Sequence, residues 1–73
     1  MTSPTDDRAA ASELPPAIGS PALQALAQAR IVRYGQLADR TERELLALHG
    51  VGPKAIRILR EELLARGLTF RPA

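Results

Sequence analysis

Leu48-His49-Gly50-Val51-Gly52-Pro53-Lys54 is the stretch of this sequence whose residue types and spacing point most directly to chemistry. Glycine permits positive φ, and its missing Cβ lets an outside group approach the backbone. Val51, between the two glycines, is placed to plug into a core and anchor the turn. Proline at the first position of the next helix lacks an amide, so the donors left free there are those of Gly52, Lys54 and Ala55. A helix start with exposed amides is an anion site, and Lys54 adds a mobile charge that reaches a phosphate. The alternative is a plain tight turn whose glycines serve geometry alone. The leucines before the turn and the Pro-Lys after it favour binding to a phosphate backbone.

Other chemistries lack their parts. The chain has no cysteine, which excludes a disulfide framework, a thiolate zinc site and a cysteine nucleophile. His49 is the only histidine and cannot build a metal site alone, so no metal, cofactor or catalytic residue is assigned. A base-excision glycosylase uses a similar hairpin but needs an aspartate beyond it, and none follows Asp39. With 73 residues there is room for one small domain, too small for a deep cleft. No apolar run approaches the roughly 18 residues of a membrane span, and the N-terminus has no secretory pattern, so a cytoplasmic location is expected.

Positioning the hairpin falls to helices. Ser20-Pro21 reads as a helix start, a capping hydroxyl followed by proline, and Leu23, Leu26 and Ala27 carry that helix over 21–29. A short second helix spans 34–38. Thr41-Glu42-Arg43-Glu44 is a capping box that opens a third helix containing Leu45, Leu46 and Leu48. Gly50-Val51-Gly52 breaks it, and a fourth helix runs from Pro53 to Arg66 and stops at Gly67. Its positions Ala55, Ile56, Leu59 and Leu63 share one face, while Arg57, Arg60 and Glu61 form the solvated side and Ile58 lies at the stripe's edge. Leu14, Ile18, Leu68 and Phe70 pack onto the bundle, and Tyr34 is core. The tandem Pro15-Pro16 excludes helix there, no segment alternates with period two, and residues 1–13 read as a disordered tail.

Charge is divided unevenly. Residues 1–20 carry a net −2 and residues 21–73 a net +4, within a formal total of +2. Basic small domains commonly meet polyanions, because Lys and Arg displace condensed counterions. Arg30 and Arg33 lie in the link after the first helix and join Lys54 as candidate contacts.

The segment from Pro21 to Leu68 resembles the C-terminal domain of the bacterial RNA polymerase alpha subunit, a family built on a helix-hairpin-helix DNA-binding motif. The likeness rests on the first helix followed by Ala29-Arg30-Ile31, the short helix with Leu37, Thr41-Glu42-Arg43-Glu44-Leu45, the glycine hairpin, and the long last helix closing in Arg66-Gly67-Leu68. It implies a domain lying against the DNA minor groove and touching other transcription proteins, with Gly52 and Lys54 on the backbone. The family's minor-groove arginine aligns with Pro21, its nearby asparagine with Gln24, and a phosphate-holding serine with Ala55. The short tail in place of the family's assembly domain suggests a free-standing relative.

The resulting expectation is an all-α domain of four to five helices over 14–73, monomeric and non-enzymatic. DNA is its expected partner, through Gly50, Gly52, Lys54, Ala55, Gln24, Arg30 and Arg33. A protein-interaction module of the same fold is the alternative.

Overall fold

Four α-helices and one 3-10 turn, with no strand, make up residues 12–72, the part of the chain that the computed structural model describes. The helices are α1 (Ser20–Gln28), α2 (Tyr34–Ala38), α3 (Glu42–Leu46) and α4 (Pro53–Ala65). Each begins or ends where local chemistry directs. Thr41 and Glu44 close the capping box: the Glu44 amide donates to Thr41 Oγ1 at 3.1 Å, and the Thr41 amide donates to Glu44 Oε1 at 2.9 Å. The Thr41 amide holds the Glu44 carboxyl below its ordinary range. Proline opens α4, and Gly67 (φ 74°) ends it in a Schellman motif, with the Leu68 amide donating to Leu63 O at 2.8 Å and the Gly67 amide to Leu64 O at 3.0 Å.

The apolar faces meet in one core. Leu26, Ile31, Leu37, Leu45, Leu59 and Leu63 are its fully buried large side chains, and Leu14, Ile18, Val51, Ile56 and Phe70 complete it. Ile58 is half-buried against this core. Tyr34 is also buried, with the Arg66 guanidinium 3.9 Å from its ring centroid. Burial pushes the Tyr34 phenol up, and Arg66 opposes that shift.

Several expected boundaries move. The tail expected over 1–13 falls outside the described residues except at Ser12 and Glu13. There the Glu13 amide donates to Val32 O at 2.9 Å, and Glu13 Oε2 accepts from the Tyr34 amide at 2.7 Å. That carboxylate satisfies the first amide of α2, a role filled from 21 residues away. Ser20 does not cap α1: Gly19 (φ 94°) holds the cap position, and no side chain bonds there. Pro16 begins a 3-10 turn (Pro16–Ile18), because proline at a helical start needs no donor. Leu48 lies beyond α3, in i→i+3 turns that run from Leu45 to Val51. Arg60 is exposed on the solvated side of α4, as expected, and pairs there with Glu42 at 2.6 Å and 3.2 Å.

Candidate nucleic-acid interface

The hairpin lies between the end of α3 and the start of α4, and two glycines set its shape in different ways. Gly50 has φ 101°, a conformation that L side chains rarely adopt. A Cβ there would stand 2.8 Å from Pro21 O, a backbone atom that cannot swing aside. The hairpin therefore packs directly on the first turn of α1, and glycine at position 50 is demanded by the fold.

Gly52 is different. Its φ of −114° and ψ of 178° are extended backbone open to any residue, and a Cβ built on it meets nothing within 4 Å. Neither backbone strain nor space asks for glycine at this position, although glycine is a better N-cap than alanine. Gly52 is the N-cap of α4, and it supplies no side-chain cap. The Ile56 amide bonds to Gly52 O at 3.1 Å, whereas the amides of Gly52, Lys54 and Ala55 donate to nothing among the described residues. Those groups carry the positive end of a 13-residue helix.

Side chains divide around this point. Ala55 is buried at 5% exposure, so it contributes an amide and no side chain to the surface. Lys54 is exposed, and so is Arg57, three residues on and therefore on the same strip of α4. Neither makes an ion pair among the described residues. Arg57 belongs with the candidate site, and its i,i+3 spacing from Lys54 is the sequence signal for it. Gln24 is exposed on α1, one turn beyond the Pro21 that touches Gly50. His49 is exposed beside the turn.

Arg30 and Arg33 are exposed but follow the other end of α1, whose last helical residue lies about 10 Å along the axis from the Pro21 that meets Gly50. Arg30 has φ 66° and occupies the left-handed position of a Schellman motif, with the Ile31 amide donating to Leu26 O at 2.8 Å. The Arg33 amide donates to Gln36 Oε1 at 3.1 Å. The structure thus gathers Gly50, Gly52, Lys54, Ala55 and Gln24 around one end of α1 and α4, and sets Arg30 and Arg33 apart.

Chemically, the gathered groups offer unpaired amide donors, two mobile cations and an uncovered backbone, a set suited to an anion. No group of three or more metal-ligating side chains occurs among the described residues, and no helix there is long and apolar enough to cross a membrane. No protein-family model, curated protein or solved structure matches the chain.

Proposed function

We propose that this chain is a non-enzymatic DNA-binding module that holds the phosphate backbone at the minor groove through its glycine hairpin, in the manner of the polymerase alpha C-terminal domain it resembles. The observation that carries the reading is Gly52. It is required by neither space nor backbone conformation, and it lies where free amides and Lys54 meet solvent. A phosphate oxygen at that spot accounts for the missing Cβ and satisfies the amides. It also accounts for a cation at a helix start, where the helix dipole disfavours one. Gln24, exposed one turn beyond Pro21, is the polar side chain that this reading offers to a base edge, and Pro21 supplies no minor-groove arginine. Backbone contact therefore dominates, and affinity varies little with duplex sequence. The reading implies a cytoplasmic, transcription-related role.

Gly52→Glu tests it. The substitution meets no clash and no forbidden φ, so the domain stays folded, while a carboxylate occupies the place of the phosphate. Fluorescence anisotropy on labelled duplex DNA should show binding lost. Unchanged affinity in a folded Gly52→Glu variant removes the hairpin as the binding surface. Pro21 favours a second reading, a protein-interaction module of this fold, and duplex affinity that does not fall with salt would select it.

A further inference from the structure

A half-open groove of about 340 Å³ lies between the start of α3, the C-terminal half of α4 and the non-helical residues 69–72. The hairpin contributes nothing to it. Leu64 enters this groove 59% exposed, the most exposed large apolar side chain among the described residues, and Phe70 closes the floor at 8%. Leu64 follows the buried Leu63 and therefore sits off the core stripe of α4, so the core does not explain it.

The rim is cationic. Arg43 and Arg71 border the groove and make no ion pair among the described residues, while Arg60 is matched by Glu42 at 2.6 Å. Glu44 stands in the field of Arg40 and Arg71, which leaves the surroundings with more arginines than carboxylates. An apolar floor under a cationic rim selects a ligand that is apolar at one point and acidic around it.

We infer that this groove docks a short linear segment of a partner protein, acidic and carrying a bulky aliphatic or aromatic anchor. The volume lies at the small end of binding pockets, which run from about 300 to 1,000 Å³, so it takes anchor side chains rather than a whole helix. Its open side leaves a peptide backbone in water. A nucleic-acid backbone brings the charge but nothing to cover Leu64, and a small organic acid would remain mostly solvated.

Amide shifts of the ¹⁵N-labelled full chain give the test. The probe is a synthetic peptide of about ten residues in which aspartates surround two leucines. One control peptide has lysines for aspartates, and the other has alanines for leucines. The expected result is shifts at Arg43, Leu64 and 69–71, with affinity at least about tenfold weaker for either control. Leu64→Ala and Arg71→Glu, both at exposed positions, should each weaken the acidic peptide by a similar factor in a domain whose spectrum stays dispersed. The inference is overturned if the acidic peptide binds no more tightly than its controls, or if its shifts fall elsewhere. It is also overturned if duplex DNA, and not the peptide, moves these amides. Gly52→Glu should leave peptide binding intact, so failure here and failure of the hairpin reading are separate results.

Discussion

Replacing each hairpin glycine with alanine, one at a time, should give opposite results. At Gly50 the new Cβ lies 2.8 Å from Pro21 O and 3.2 Å from Pro21 C, and the backbone carries φ 101°. A non-glycine residue in so sparsely populated a region costs about 1–3 kcal/mol. The backbone contact adds a displacement of α1 against the hairpin, so about 2–4 kcal/mol in all is expected, in line with other strained substitutions. An ordered region of about 60 residues has roughly 3–9 kcal/mol of stability in total, so Gly50→Ala removes a large share of it. At about 4–8 °C per kcal/mol, Tm should fall on the order of 10–30 °C. At Gly52 neither term applies. Alanine is a poorer N-cap than glycine but has less unfolded-state entropy to lose, and these terms offset to within about 1 kcal/mol. Thermal melts followed by circular dichroism at 222 nm, with duplex anisotropy on the same samples, separate the two positions. The expectation is a destabilised Gly50→Ala and a stable Gly52→Ala with weakened DNA binding. A Gly50→Ala Tm within about 5 °C of the parent would refute the close-approach reasoning. Equal destabilisation at both sites would refute the distinction between the glycines.

Lys54→Ala should weaken every duplex alike and lower the salt-dependence slope by about 0.9, read from affinities at several salt concentrations; an unchanged slope means that no phosphate sits there. Arg30→Gly should stabilise the domain by about 0.5–1 kcal/mol, because glycine relieves left-handed strain of about 1–2 kcal/mol at a smaller entropic cost; a lower Tm contradicts the Schellman assignment. Glu44 has its carboxyl pKa depressed by the Thr41 amide, so its contribution is present above the ordinary glutamate range and lost as pH falls through the folded value. Glu44→Gln should therefore flatten the acid side of the Tm-against-pH curve, and parallel curves would show the capping carboxylate contributes nothing. Leu64 lies eleven residues along α4 from Pro53, about 16 Å, beyond the ~8 Å Debye length at physiological salt. Saturating acidic peptide should leave duplex affinity within about twofold of its value alone.

The helices were legible because their signals are local. Thr41 and Glu44 sit three apart, and the box they form involves nothing outside α3. Ala55, Ile56, Leu59 and Leu63 share a face by spacing alone, and all four are buried. Gly67 ends α4 where a glycine past the last turn is expected. What escaped the sequence depends on residues far apart or on backbone conformation that residue type does not announce. The carboxylate serving the first amide of α2 comes from Glu13, and spacing carries no information about a partner 21 positions away. Ser20 is a good cap by type, yet the positive φ of Gly19 starts the helix one residue earlier and leaves the hydroxyl without that role. Arg30 carries no sign of its left-handed backbone, because arginine is not the residue type that announces one. The hairpin shows the limit most sharply. Gly50 and Gly52 are the same residue two positions apart, and as sequence they make one motif. Packing separates them: the approach of Pro21 accounts for the first and leaves the second with no neighbour at all. Neither backbone strain nor lack of space holds glycine at position 52, which leaves only the modest preference for glycine over alanine at an N-cap. The free amides and exposed lysine beside it are what make an anion the proposed partner at that position.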